Sequence, residues 1–347
     1  MRNVARKYCR SVGGLRRAAT TGLLTLSVVI GTAVAASAAP VDTLRQPYKD
    51  SFKGKTVAFV PIAMGFDLTE GWAAGIKKEA DKNGFKFIIR DPNWSTSAGT
   101  QAITSLIAEK PDVMVVHNPD VQSYARLLKK AEKAGIHVIQ VNMKSNYSTS
   151  GYVGADWFEI GQAGAQKIVD KCGKGTGKSG KVAIIQGVLT GAASIWQVNG
   201  VMDVFNKNPE IKVVANQAAD WDGSKAKAIT QTVLQQNPDL CAVFGFWDVM
   251  TLGAAAAVKE AGKTGSVIVV SNGGGNKMAC DNVKNGTFDY IWSYDVPGQA
   301  RDINNMIKTL FQSNSKPGAT KVALYTPLKL ISRENFDPTI CWDLKKK

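Results

Sequence analysis

The stretch Cys172-Gly-Lys-Gly-Thr-Gly-Lys-Ser-Gly-Lys-Val-Ala-Ile-Ile185 decides between two folds. Its centre, Lys174 to Ser179, approaches the phosphate-loop pattern G-x-x-x-x-G-K-[ST]. Gly177-Lys178-Ser179 supplies the end of the pattern, but Cys172 stands where its first glycine belongs. A phosphate loop leaves a strand and enters a helix, because the free N–H groups at the helix amino terminus hold the phosphate. Here the order is reversed. A helix is predicted over about Phe158 to Asp170, and Lys181-Val-Ala-Ile-Ile-Gln186 reads as a strand. Gly173 stops the helix, and the lysine-rich loop is a solvated connection.

The alternation of helix and strand extends in both directions. Towards the amino terminus, strands are predicted at Lys55–Val60, Lys86–Arg90, Asp112–His117 and Ile136–Val141. Helical spacing lies between them at Trp72, Ile76 and Ala80, at Ile103, Leu106 and Ile107, and at Tyr124, Leu127, Leu128 and Ala131. Towards the carboxyl terminus, helices are predicted at Ile195–Asn206, Ser224–Gln236, Met250–Ala261 and Asn276–Asn285, with strands at Ile211–Ala215, Leu240–Phe244 and Val267–Val270. The strands are continuous apolar runs, which fits burial on both faces. The fold class is α/β, with two parallel-sheet units in sequence, each covered by helices on both sides. A length of 347 residues accommodates two such domains.

The amino terminus stands outside this rhythm. Arg2, Arg6, Lys7, Arg10, Arg16 and Arg17 precede an apolar run from Gly22 to Ala36, and Ala36-Ser37-Ala38 offers a small-residue cleavage site. Residues 1–38 read as a secretory signal peptide, with an apolar run too short to span a membrane. Arg16-Arg17 resembles part of a twin-arginine export signal, but Ala18-Ala19-Thr20 follows where an apolar pair would strengthen it. Loss of these six basic residues lowers the formal charge from +15 to +9. The remaining lysines are scattered, without a basic stripe interleaved with aromatics, so nucleic acid is a poor partner. Cys172, Cys241, Cys280 and Cys341 remain in an oxidising compartment, and four cysteines allow three pairings. No cofactor or metal motif is present. The two histidines, His117 and His137, have no accompanying nucleophile motif, which argues against an enzyme.

Ligands of open α/β sheets sit beyond the carboxyl ends of the strands. Those ends carry Phe66-Asp67-Leu68-Thr69, Asn93-Trp94, Asn118-Pro-Asp120 and Asn142-Met143 in the first unit. In the second they carry Gly187–Gly191, Asp220-Trp221-Asp222, Phe246-Trp247-Asp248 and Asn272–Gly275. Flat rings stack on the C–H face of a sugar or polyol, while amides and carboxylates take its hydroxyls.

The chain resembles the ribose-binding-protein type of periplasmic solute receptor serving ABC importers, from about Lys55 to Asn335. The resemblance rests on Gly75–Asp81, Asn118-Pro-Asp120, Gly154-Ala-Asp156, Trp221-Asp222 and Asp239–Gly253 (DLCAVFGFWDVMTLG), in that order. It implies two doubly wound lobes joined by a three-crossing hinge, with crossings near Ala155, near Asp295-Val296 and near Thr326-Pro327. The first lobe is then 40–155 plus 296–326, and the second 156–295 plus 327–347. All four remaining cysteines fall in the second lobe. The resemblance also implies ligand positions. The family's first-loop asparagine matches Phe66, and its aromatic pair matches Leu68 and Thr69. Asn118 and Trp221 are kept. An Asp-Arg pair becomes Asn142 and Met143, and a second-lobe arginine becomes Gln197. Trp247, Asn272 and Asp295 replace an asparagine, an aspartate and a glutamine.

Two arginines are therefore missing, and an anionic ligand lacks its bidentate partner. The expected ligand is a small neutral polyhydroxy compound, a monosaccharide or a sugar alcohol. The expected partner is the permease of an ABC transporter, with a chemoreceptor as a further possibility. One alternative is an aromatic cage of Trp221, Trp247 and Phe66, with Asp295, around a small quaternary amine. Repressors share this core, but they carry an amino-terminal helix-turn-helix, and here a leader occupies that place.

Overall fold

The computed structural model describes residues 41–344, so the predicted signal peptide lies outside the described residues. The first lobe opens with α1 (Arg45–Asp50), β1 (Thr56–Val60), α2 (Asp67–Asn83), β2 (Lys86–Ile89), α3 (Thr96–Glu109), β3 (Val113–Val116), α4 (Ala125–Lys133), β4 (His137–Val141) and β5 (Gly151–Gly154). The second contains α5 (Trp157–Cys172), β6 (Lys181–Gln186), α6 (Ala192–Phe205), β7 (Lys212–Ala218), α7 (Gly223–Gln236), β8 (Ala242–Gly245), α8 (Asp248–Glu260), β9 (Ile268–Gly273), α9 (Lys277–Lys284) and β10 (Tyr290–Ser293). The chain then runs through α10 (Val296–Gln312), β11 (Val322–Tyr325) and β12 (Lys329–Ser332).

Each sheet has six strands. The orders are β2-β1-β3-β4-β5-β11 and β7-β6-β8-β9-β10-β12. All neighbours run parallel except the antiparallel pair β10–β12. The strand order reverses between β1 and β3 and between β6 and β8, which are the two switch points where open sheets bind ligands. β3 and β8 are buried along their whole length, as continuous apolar runs require. The edge strand β7 is instead mostly exposed, because only one side has a neighbour.

The glycine-rich stretch takes the helix-to-strand route. α5 ends at Cys172 with Gly173 as its cap, and β6 starts at Lys181. Gly175, Gly177 and Gly180 have φ of 87°, 72° and 71°, so the connection uses left-handed backbone that glycine adopts freely.

The chain passes from one sheet to the other after β5, after β10 and after β11. α10 returns to pack on α2, β4 and β5 of the first sheet. Hydrogen bonds fix the first two passages. Trp157 Nε1 donates to the carbonyl of Asn142 at 2.8 Å, and the Tyr152 hydroxyl reaches the carbonyl of Ala155 at 2.7 Å. At the second passage Asp295, with φ 51°, accepts from the backbone N–H of Gly298 and caps α10. Its other oxygen accepts from Lys329 Nζ at 2.7 Å, so an ion pair ties the second passage to the third.

The cysteine pairing left open by the sequence is Cys172–Cys241 and Cys280–Cys341. The first bridge joins the end of α5 to the start of β8. The second joins α9 to the carboxyl-terminal segment. Cys172 and Cys241 are 69 residues apart, and closing such a loop removes about 4 kcal/mol of denatured-state entropy. Replacing both by serine is expected to lower stability by about 2–4 kcal/mol in denaturant unfolding followed by circular dichroism. An unchanged transition shows that the bridge does not constrain the unfolded chain.

Candidate functional site

Parallel pairing sends the carboxyl ends of all core strands to one edge of each sheet, and in this chain those two edges face each other. The cleft between them holds about 430 Å³ of unfilled space, its mouth included. Only about 40 Å³ of it is open to the centre of a water molecule, so the two edges nearly close on each other. Backbone strain collects there. Eight described non-glycine residues have positive φ, and seven of them sit in strand-end loops: Asn93, Trp94, Asn142, Asp220, Trp221, Trp247 and Asp295. Conformations costing about 1–3 kcal/mol each persist where surrounding structure over-determines them, commonly at ligand sites.

Aromatic rings form a band across both lobes. Phe66 stacks on Trp94 with centroids 5.5 Å apart, and meets Trp247 edge-on at 5.7 Å. Trp247 in turn meets Trp221 edge-on at 6.3 Å. Gly187 permits this arrangement. A β-carbon there would lie 2.2 Å from three ring carbons of Trp221. Below the band, Trp157 and Tyr294 pack edge-to-face at 5.5 Å.

Amides complete the lining. Gln197 Nε2 donates to Asn272 Oδ1 at 2.8 Å. α6 can bring Gln197 this close because glycines let it lie against α5: a β-carbon at Gly161 would stand 2.1 Å from the carbonyl oxygen of Gln197. Trp72 Nε1 donates to Gln299 Oε1 at 2.9 Å, and Gln299 Nε2 donates to Asn142 Oδ1 at 3.3 Å. That chain sets which way the Asn142 amide faces.

Nine of the residues singled out from the sequence line the cavity together: Phe66, Leu68, Trp94, Asn142, Met143, Gln197, Trp221, Trp247 and Asn272. Five do not. Asn93 is exposed in a turn. The Thr69 hydroxyl donates to the carbonyl of Phe66. Asn118 is buried behind the site, with its amide donating to Gln140 Oε1 and to the carbonyl of Met143, so it supports the Asn142–Met143 turn from below. Asp67 accepts a hydrogen bond from Asn276 of the second lobe. Asp295 is held by Gly298 and Lys329. The aromatic cage for a cation therefore loses the carboxylate it relied on.

His117, Phe246, Tyr294, Trp157, Ile62 and Ala193 also line the cavity without having been singled out as ligand positions. Three of them, His117, Phe246 and Tyr294, stand one residue before Asn118, Trp247 and Asp295. The strand-end rule points to the right loops, and the residues after Phe246 and Tyr294, Trp247 and Asp295, both have positive φ.

No Asp, Glu, Lys or Arg lines the cavity. Several buried polar atoms there have no hydrogen-bond partner among the described residues: both ring nitrogens of His117, Gln197 Oε1, Trp221 Nε1 and Trp247 Nε1. Leaving such an atom unpaired costs about 1–3 kcal/mol, so each is open to a polar partner from outside the chain.

The lobes also touch outside the cavity. The N–H of Val121 donates to the carbonyl of Thr190 at 3.1 Å. Lys144 places its Nζ 4.8, 4.9 and 5.0 Å from the ring centres of Tyr152, Trp196 and Tyr325. Among the described residues there is no cluster of ligands for a metal ion.

This combination defines a two-lobed binding protein, and the chain belongs to the family described as periplasmic binding protein domain, which it matches over residues 57–315. The ribose import binding protein of Bacillus subtilis is 29% identical over 267 residues, covering 77% of this chain and 84% of that protein. The xylitol-binding protein of Mycolicibacterium smegmatis is 29% identical over 221 residues, covering 63% of this chain and 62% of that protein. A solved ABC transporter periplasmic solute-binding protein of Actinobacillus succinogenes with bound D-allose is 25% identical with a TM-score of 0.70, covering 81% of this chain and 98% of that one. Members of this family bind and deliver solutes; the chain is not an enzyme.

One acidic group lies just behind the lining. Asp248, in the first turn of α8, is buried, and its Oδ2 has no partner among the described residues. Burial first, then the charge of Asp67, pushes its carboxyl well above the usual carboxylate range. The folded protein therefore holds this proton more tightly than the unfolded chain does, and stability is lost as pH rises through the folded value. Asp248→Asn is expected to raise stability at pH 8 by about 1–3 kcal/mol, with the gain shrinking towards pH 4. Thermal unfolding at the two pH values checks it, and a larger gain at pH 4 contradicts it.

Proposed function

We propose that the protein captures one neutral monosaccharide or sugar alcohol between its lobes and presents it to the permease of an ABC importer. The observation carrying this reading is the cavity itself, an uncharged aromatic enclosure whose unpartnered N–H groups and amide oxygen are spaced among ring faces. Rings take the C–H faces of a polyol, and the unpaired polar atoms take its hydroxyls. A carboxylate or phosphate ligand finds no cation here to balance its charge. A quaternary amine leaves the same polar atoms unpaired. The named ligands of the relatives, ribose, allose and xylitol, support the neutral polyhydroxy class.

In this reading the nine cavity-lining residues from the sequence hold the ligand. The hinge segments near Ala155, Asp295-Val296 and Thr326-Pro327 carry the closing motion, with lobes 40–155 plus 296–326 and 156–295 plus 327–347. The ligand contacts both lobes, so it favours the closed arrangement by its differential affinity. The closed pair of surfaces docks on the permease, and docking on a chemoreceptor is a further use that the same surface allows. Residues 1–38 serve as the export signal that delivers the chain to the periplasm.

The test is thermal unfolding against pentoses, hexoses, sugar alcohols and quaternary amines. A ligand at 1,000 times its Kd adds about 4 kcal/mol to the bound state, enough to move the midpoint by several degrees. A shift with a sugar or polyol is expected, and a shift only with an amine contradicts the reading. Trp247→Ala is expected to weaken binding by calorimetry at least about tenfold without unfolding the protein. Lys178→Ala, in the glycine-rich loop, is expected to leave affinity unchanged.

A further inference from the structure

His117 is the one imidazole in the cavity wall, and neither of its ring nitrogens has a hydrogen-bond partner among the described residues. The ring directly follows β3 at the switch point of the first sheet and stands edge-on to Trp72, with centroids 5.2 Å apart and planes at 89°. Trp72 is itself fixed by its hydrogen bond to Gln299. The imidazole is thus held by packing, in one orientation, with its polar atoms unspent. Buried histidines with a purely structural role normally place at least one nitrogen on a backbone or side-chain partner.

We infer that His117 is a specificity-determining residue, which presents a neutral imidazole to one ligand hydroxyl and thereby selects an uncharged hydroxylated compound over its deoxygenated or acidic analogues. Burial alone, with no charged neighbour contributing, lowers the imidazole to about 3, so the ring stays neutral across the physiological range. A neutral imidazole has one donor and one acceptor, matching a hydroxyl that can do either. A positively charged histidine would favour an anion instead. Binding sites built around such an unpaired group reject analogues lacking the hydroxyl strongly, because the group is then left buried and unsatisfied.

The inference rests on the polyhydroxy reading of the cavity. Its test is calorimetric titration of xylitol, D-ribose, D-arabinose and D-allose into the wild type, His117→Phe and His117→Gln, with thermal unfolding of each unliganded protein. Phenylalanine keeps the edge-on contact with Trp72 and removes both nitrogens. It is expected to weaken the best of these ligands roughly 10- to 100-fold while the unliganded midpoint holds or rises. Glutamine restores a donor and an acceptor and is expected to recover part of the affinity. Wild-type affinity is expected to be flat between pH 5 and 8.

Equal affinity of the wild type and His117→Phe overturns the inference and leaves the polyhydroxy reading standing. So does a lower midpoint in His117→Phe that glutamine repairs without recovering affinity, since that marks a structural role. If none of the four binds, the titration uses whichever sugar or polyol shifts the thermal midpoint of the wild type; if none of that panel does, the polyhydroxy reading falls and the inference falls with it.

Discussion

Parallel pairing of buried strands is the constraint on which the rest depends. In a parallel sheet every strand ends at the same edge, so every loop that follows a strand opens to the same side. The chain builds this twice, with the same reversal of strand order in each sheet. Setting the two edges against each other brings eight loops to one place. The helices that cover the sheets then carry Leu68 on α2 and Gln197 on α6 into the same space.

The local costs make sense against this frame. Positive φ at Asn142, Trp221 and Trp247 is unfavourable for residues with a β-carbon. So are the unpaired nitrogens of Trp221, Trp247 and His117. The second lobe, with two disulfides, and the first, with its buried apolar strands, supply the rigidity that holds these features. The contacts between lobes outside the aromatic band are of kinds that a hinge motion can break: the Val121–Thr190 backbone hydrogen bond, Asp67 with Asn276, Lys144 among three rings, and the packing of Gly71 on Trp342 and of Leu68 on Gly274. A ligand that adds contacts to both lobes shifts such an arrangement towards closure.

Much of this was legible in the sequence. The core strands of both lobes read as apolar runs because both their faces are covered. α10 carries apolar residues at Ala300, Ile303, Met306 and Ile307, a helical spacing that marks it as plainly as the helices that were read. β5, β11 and β12 are four residues each; only β11 is apolar throughout, and it lies mostly exposed at the edge of its sheet. Their identity comes from pairing partners far along the chain. At the site, ring and amide chemistry at strand ends located the right loops, and nine residues from them meet at the cavity. What sequence cannot give is the direction of a single side chain. Asp295 turns its carboxylate to Lys329, a partner 34 residues away, and Asn118 turns its amide beneath the site. His117 comes into the wall one position before Asn118.

The central claim is that charge neutrality of the cavity, more than its shape, defines the ligand class. Calorimetric titration of matched open-chain pairs tests it most directly: xylitol against xylonate, and D-arabinitol against D-arabinonate. The members of each pair are close in size and hydroxyl pattern and differ in a carboxylate. The account predicts binding of a neutral member and at least a hundredfold weaker binding of its acid, about 3 kcal/mol for a carboxylate that finds no cation. An acid that binds as tightly as its neutral counterpart contradicts it.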